Sequence, residues 1–242
     1  GEDGRGPTLQ ATPEFIKGLF EIQDEGSQVV ASLAGAGPGM QVVDLCAGGG
    51  GKTLELAALM DNSGQIYATD ADTRRLAPIH DRLTRAGVRN VQVRTPKGRG
   101  DEPLADLVGR IDLVLVDAPC TGIGTWRRNP DTKWRVRPGA LDERMKEQDL
   151  VLERARRLVK PGGRIAYVTC SVIPRENDER IAAFLDAHAG FASVDPREVL
   201  ALAPDSLSER DDLVSPAGLG LQLSPLRTGT DGFYCALIER RG

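Results

Sequence analysis

The chain has 242 residues, 40% hydrophobic and 27% charged, which fits one large domain, or one domain with a small appendage, of ordinary soluble composition. No run approaches the roughly 18–20 apolar residues of a membrane helix, and the opening GEDGRGPTLQ has no basic-then-apolar signal pattern. The formal net charge of −4 excludes nucleic-acid binding through the field of the whole molecule, so any such binding needs a local basic patch.

Residues 1–14 are rich in Gly, Pro and Thr and read as an arm. Residues 14–34 are amphipathic, with Phe15, Leu19, Ile22, Val29 and Val30 as candidate core contacts. QVVDLC (41–46) predicts a buried strand running into glycines, and TLELAALM (53–60) a helix. SGQIYATD (63–70) predicts a turn and a strand, TRRLAPIHDRLTRAG (73–87) a helix stopped by Gly87, and VRNVQVR (88–94) a third strand. RIDLVLVDAP (110–119) is a fourth strand, and 141–159 a long helix ended by KPGG. GRIAYVTCS (163–171) is a fifth strand, 175–190 a further helix, 194–225 a stretch of low periodicity, and GFYCALIER (232–240) a last strand. Residues 1–40 are expected to form an N-terminal arm with a helical segment, and 41–242 the domain that bears the chemistry.

Strands alternating with helices predict an α/β fold with a mostly parallel sheet, in which ligands bind at the carboxyl ends of the strands. The polar residues at those ends are Asp44, Asp70, Asp117 and Thr169, with Cys120 and Cys170. The glycine stretch DLCAGGGGKT (44–53) stands between the first strand and its helix. It is not a phosphate loop, because the required first glycine is Cys46, nor a GxGxxG dinucleotide loop, because the third glycine is Thr53. On the loop alone, a tight strand–helix turn and a ligand cradle are both open. Asp70 at the end of the second strand, where an acid can take ribose hydroxyls, favours the cradle. Acids at both strand ends suit a ligand with a cationic part and a ribose, as in S-adenosylmethionine.

The four cysteines, Cys46, Cys120, Cys170 and Cys235, are far apart and form no CxxC pair, so neither a metal site nor a disulfide framework is signalled, and a reducing cytoplasm is the natural setting. A small buried hydrophobe is the plain reading of Cys235, and an open one for Cys46. It suits Cys120 poorly, since Pro119 and Thr121-Gly122 make a loop there. Cys120 and Cys170 end consecutive strands and are expected to face one pocket. Two thiols beside a carboxylate suit attack on an electron-poor ring. A thiolate added at carbon-6 of a pyrimidine makes carbon-5 enamine-like and able to take a methyl group.

DLCAGGGGKT, DAPCTG (117–122), RRNPDTKW (127–134) and TCSVIPREN (169–177), together with QDEGSQ (23–28) and DGFY (231–234), resemble the Sun-type RNA cytosine carbon-5 methyltransferases from about residue 12 to the end. The resemblance implies a class I S-adenosylmethionine-dependent methyltransferase, Rossmann-like, with a mostly parallel seven-stranded sheet and helices on both faces. It implies Cys170 as the nucleophile on carbon-6, Cys120 as the thiol that helps resolve the covalent adduct, and Asp117 as a contact to the cytosine. The cofactor positions it implies are Cys46, Ala47, Gly48, Gly49, Gly50, Gly51, Lys52, Asp70, Arg75 and Asp117. Spacing by itself does not assign the two thiol roles. The substrate implied is RNA, ribosomal with transfer RNA as the alternative, presenting a single-stranded or flipped-out cytosine. A monomer in the cytoplasm is expected.

The sequence departs from the family pattern twice. Gly48 and Gly49 replace the usual Ala-Pro of the loop, which predicts a floppier turn. The acid expected just after the third strand, beside the adenine, is missing from RTPKGRGDEP (94–103), where Asp101 is the nearest and sits late. WRRNPDTKWRVR (126–137) has five Lys/Arg, one acid and two tryptophans, and Arg127, Arg128, Lys133 and Trp134 are the candidate RNA contacts. A nicotinamide dehydrogenase would need the absent GxGxxG. A non-catalytic RNA-binding protein on a relic fold would have lost one of Asp117, Cys120 and Cys170, all of which are present.

Overall fold

The computed structural model describes residues 8–98 and 102–242. Val42 and Val43, Leu113 to Val116 and Ile165 to Val168 are all buried, as strands covered on both faces require. Among the described residues the strands are β1 (Gln41–Asp44), β2 (Gln65–Ala68), β3 (Val91–Val93), β4 (Ile111–Asp117), β5 (Val159–Thr169), β6 (Phe191–Ser193), β7 (Leu221–Gln222) and β8 (Tyr234–Arg240). They form one sheet in the order β3-β2-β1-β4-β5-β8-β6, with β7 beside β8. The pairs β1–β2, β1–β4, β2–β3 and β4–β5 are parallel. β8 runs antiparallel to β5, β6 and β7. The seven strands of the main path match the expected number, and β7 adds an eighth.

The helices are α1 (Pro13–Ile16), α2 (Glu25–Ser32), α3 (Gly51–Leu59), α4 (Thr73–Leu76), α5 (Ile79–Arg85), α6 (Ala140–Leu158), α7 (Asp178–Ala187), α8 (Pro196–Leu200) and α9 (Pro225–Thr228). Alternate strand residues face opposite layers. Val42, Leu113, Leu115, Ala166 and Val168 pack with Val29, Val30 and Leu33 of α2 and its end, Leu56 and Met60. Val43, Val114, Val116, Ile165 and Tyr167 pack with Leu152, Ala155 and Leu158 of α6 and Ile181 and Phe184 of α7. Leu76, Ile79 and Leu83 of α4 and α5 cover the β2 side together with Leu54 and Ala68. No helix among the described residues is long and apolar enough to cross a membrane.

Several expected elements divide. Residues 14–34 split into α1 and α2, and of their expected core contacts only Val29 and Val30 are buried. Leu19 and Ile22 are exposed, because the segment between the helices has no regular period to turn them inward. The predicted helix over 73–87 breaks at Ala77-Pro78, since proline has no N–H to give the preceding turn. The predicted helix over 175–190 starts late, because Asn177 leaves helical geometry at φ −116°, ψ −107°. β5 starts at Val159, ahead of its predicted start, with a register shift between the Ile111 and Leu113 pairs that absorbs Pro161-Gly162-Gly163. β6 and β7 have three and two residues, too few to show alternation.

Candidate active site

β1 ends at Asp44, and the chain turns through Cys46–Gly50 into α3. Gly50 caps that helix at φ +83°, and a Cβ there would lie 2.5 Å from Ile79 Cγ1, so glycine is required by both conformation and space. The turn is held at several points. Ala47 N–H donates to Thr69 O at 2.9 Å and Gly50 N–H to Ala47 O at 2.9 Å. Gly48 N–H donates to Asp70 Oδ2 at 2.9 Å, and Arg82 Nη1 to Gly49 O at 2.7 Å. Gly48 and Gly49 are thus tied to Asp70 and Arg82. Asp70 also accepts from Asp72 N–H at 2.8 Å, and Arg75 Nη1 stands 3.9 Å from it. Asp44 is buried, accepts from Thr53 Oγ1 at 2.7 Å, and leaves Oδ1 with no partner. Burial pushes its carboxyl up to about 7, against the hydrogen bond from Thr53.

The parallel register puts the ends of β1, β2, β4 and β5 along one edge. A cavity of about 600 Å³ runs along it, lined by Asp70, Asp72 and Arg75 at one end, Cys46 and Asp117 between, and Cys120 and Cys170 at the other. Its far wall is α6, through Arg144, Glu147, Leu150, Val151 and Arg154. The sequence marks α6 only as a long helix and shows nothing that would aim it at the site. Asp101, the late acid of the third-strand loop, lies outside the described residues.

Cys120 Sγ and Cys170 Sγ are 3.3 Å apart. Behind them Lys52, buried, donates from Nζ to Asp117 Oδ2 at 2.8 Å and stands over the Phe233 ring at 5.4 Å. Lys52 therefore meets Asp117 directly, at the thiol side of the cavity. Burial opposes its charge, yet Asp117 and Asp44 outweigh that and hold it above the ordinary lysine value. The hydrogen bond the two sulfurs share, in which either could be the donor, draws the Cys170 thiol below the ordinary cysteine value, with Lys52 helping and burial and Asp117 opposing. The same hydrogen bond, then burial and Glu176, holds Cys120 well above it. Cys46 lines the cavity as a neutral thiol, raised by burial and by Asp117, Asp70 and Asp44. Cys235 is in the core, pushed up to about 12 by burial, as its position inside a strand predicts.

The Cys170 backbone is pinned by glycines. Gly124 N–H donates to Cys170 O at 3.0 Å, and Gly232 N–H to Gly124 O at 2.8 Å. A Cβ on Gly124 would lie 2.0 Å from Gly232 O and 2.8 Å from Cys170 O. The DGFY segment thus backs the Cys170 loop. Its Asp231 is fully buried and is met by Arg128 Nε at 2.7 Å and Arg127 Nε at 3.4 Å, while Asp24 stands 3.3 Å from Arg128. Both arginines thus pair with the buried Asp231 and with Asp24, since a buried carboxylate needs cationic partners, while their own side chains stay 44% and 49% exposed. Lys133 and Trp134 remain outward: Trp134 is 81% exposed, with Lys133 Nζ 4.8 Å from its ring. Trp126 is half-buried and its indole N–H has no partner.

A ribosomal RNA small subunit methyltransferase B from Sodalis glossinidius is 37% identical over 226 residues, which are 93% of this chain and 47% of the relative. A probable enzyme of that name from Synechocystis is 35% identical, covering 98% of this chain and 51% of the relative. A crystal structure of NSun6 from Pyrococcus horikoshii with SFG superposes with a TM-score of 0.76 at 25% identity, covering 98% of this chain and 57% of that one. The chain spans about half the length of the curated relatives it matches. Residues 34–239, from the end of α2 to the last strand, match the 16S rRNA methyltransferase RsmB/F family, and the chain belongs to that family.

Proposed function

We propose that this chain methylates carbon-5 of a cytosine in RNA, ribosomal RNA first, with S-adenosylmethionine as methyl donor and a covalent cysteine adduct at carbon-6. The observation that supports it best is two thiols 3.3 Å apart in the same cavity as Asp70 and Asp117. The residues present fit the cofactor. Asp70 offers carboxylate oxygens for a ribose, and Cys46, where the glycine turn begins, lines the same cavity. Bound there, the cofactor supplies an electrophilic methyl group.

The chain's own residues do the rest. Cys170 as thiolate forms a bond from Sγ to carbon-6, which leaves carbon-5 nucleophilic. Asp117 holds Lys52 with Oδ2, and its Oδ1 accepts from the cytosine amino group. After carbon-5 has taken the methyl group, Cys120, its own S–H proton having passed to water, takes the carbon-5 proton as thiolate, and the carbon–sulfur bond breaks to return the Cys170 thiolate. The target cytosine has to leave its stack to reach the thiols in the cavity, and the exposed Lys133 and Trp134 offer a cation and a stacking face to the RNA.

Incubation of the protein with small-subunit ribosomal RNA, or with transfer RNA, and labelled S-adenosylmethionine tests this reading. Nucleoside analysis should return 5-methylcytosine from the ribosomal arm. Label in transfer RNA alone moves the substrate, and label on another atom ends the proposal. Asp70→Ala should weaken S-adenosylmethionine binding by about 1–3 kcal/mol, the scale of a hydrogen bond to a charged acceptor, in calorimetric titration. Part of that loss comes from freeing Gly48. Unchanged affinity removes Asp70 from the site.

A further inference from the structure

Cys120 Sγ and Cys170 Sγ stand 3.3 Å apart, and both residues line the open cavity. A disulfide holds its sulfurs at about 2.05 Å, so an approach of about 1.3 Å, on the scale of a side-chain rotation, turns this contact into a bond. Both cysteines are only partly buried, and a cavity of about 600 Å³ admits a small oxidant to them. Of the other two cysteines, Cys235 is closed in the core, and Cys46 lines the same cavity at the glycine turn.

The fold enforces the closeness of the pair. Cys120 lies just past β4 and Cys170 just past β5, and those strands pair in parallel, Asp117 against Val168. Beyond the strands, the buried Glu176 joins the two loops. Its carboxylate accepts from Thr121 N–H at 2.8 Å and Thr121 Oγ1 at 2.6 Å on one side, and from Ser171 Oγ at 2.5 Å on the other. Gln148 of α6 donates to Glu176 Oε1 at 3.2 Å and to Pro119 O at 2.9 Å. Cys170 O itself accepts from Gly124 N–H at 3.0 Å. The residues on both sides of Cys120 and the residue after Cys170 are therefore tied to one clamp, which keeps the two thiols side by side.

We propose that Cys120 and Cys170 are a reversible oxidation site: hydrogen peroxide links them as a disulfide, which closes the active site and spares both sulfurs from irreversible oxidation. One thiolate displaces hydroxide from peroxide and becomes a sulfenic acid. The second sulfur attacks the sulfenic sulfur, the S–S bond forms, and water leaves with the second thiol's proton. In sum, two thiols and one peroxide give one disulfide and two waters; each sulfur loses one electron and the peroxide gains two. The product is the same whichever sulfur is oxidised first, so no assignment of the attacking thiol enters. A lone sulfenic acid would be carried on to sulfinic acid, but here a second thiol stands in contact to intercept it. A dithiol reductant reopens the bond by exchange. Formation of the bond is independent of the reaction proposed above, whereas loss of methylation rests on it, since both of its thiols are then out of use.

The whole chain, reduced and freed of reductant, is treated with increasing hydrogen peroxide and then alkylated in denaturant. Peptide mass spectrometry without reduction should find Cys120 linked to Cys170, and free thiols should fall from four to two per chain. RNA methylation should fall in step with the linkage and return when dithiothreitol reopens it. Cys120→Ser leaves Cys170 without its partner, so the same treatment should give it a sulfinic acid that dithiothreitol does not remove. A wild type that keeps four thiols, links Cys170 to Cys46 or to a second chain, or reaches sulfinic acid as fast as Cys120→Ser overturns the proposal. So does linkage that forms only once near-UV circular dichroism reports unfolding. Complete linkage with methylation intact overturns the switch and also ends the covalent mechanism proposed above. Absent linkage with cytosine methylation intact ends the switch alone.

Discussion

Cys170→Ala should abolish methylation and leave no covalent RNA complex, while Cys120→Ala should accumulate one. The two thiols lie 3.3 Å apart, so sheet position alone does not separate their roles; their environments do. The hydrogen bond the sulfurs share and the nearby Lys52 hold the Cys170 thiol low, and Cys120 is held high. The thiolate is the attacking form, so the proposed reaction expects attack by Cys170. Without Cys120 the bond to carbon-6 and the methyl transfer can still occur, but proton loss and release of Cys170 stall. Denaturing gel electrophoresis after incubation with RNA and S-adenosylmethionine separates the cases. A slow-migrating band in Cys170→Ala and none in Cys120→Ala would reverse the two roles. Methylation surviving in both variants would remove the covalent mechanism.

Lys52→Met should be the most damaging change outside the thiols. Methionine keeps much of the apolar stem but removes a buried charge that touches Asp117 at 2.8 Å. Lys52 is one of the causes that lower the Cys170 thiol, and Asp117 is one that raises it. Removing the cation deletes the first and uncovers the second, so both changes move the Cys170 pKa upward. Less thiolate is then present at neutral pH, about tenfold less each time the pKa rises by one. The pH midpoint of Cys170 alkylation should rise, and methylation should fall by at least the same factor. Asp117 is about a third exposed, so water compensates part of the broken pair and the stability cost should be near 1–2 kcal/mol rather than the larger figure for a fully buried one. Thermal unfolding measures that cost separately. An unmoved alkylation midpoint would show that Lys52 serves the fold and not the thiol.

The sequence by itself determined the layer order and most of the candidate site. The runs QVVDLC, RIDLVLVDAP and GRIAYVTCS are apolar without a break, and only strands covered on both faces use such runs, so the central sheet followed from them. Asp44, Asp117 and Cys170 could be placed at strand ends because each sits where an apolar run stops, and strands of a parallel sheet end on one edge. Short elements were not legible: β6 and β7 have too few residues to show a period, and the breaks at Pro78 and Asn177 are local events inside good helical composition. Only the tertiary structure decided the partners of charged groups. Arg127 and Arg128, RNA-contact candidates in the sequence, also pair with Asp231 and Asp24, both more than 100 residues away along the chain. Glu176 reads as one acid in a charged helix start, yet it reaches a loop 55 residues away. The α6 wall of the cavity is equally invisible. The physical reason is common to all three: burial and hydrogen-bond demand are set by whichever distant segments the sheet brings together, and a one-dimensional pattern records periodicity but not the partner that satisfies a buried charge.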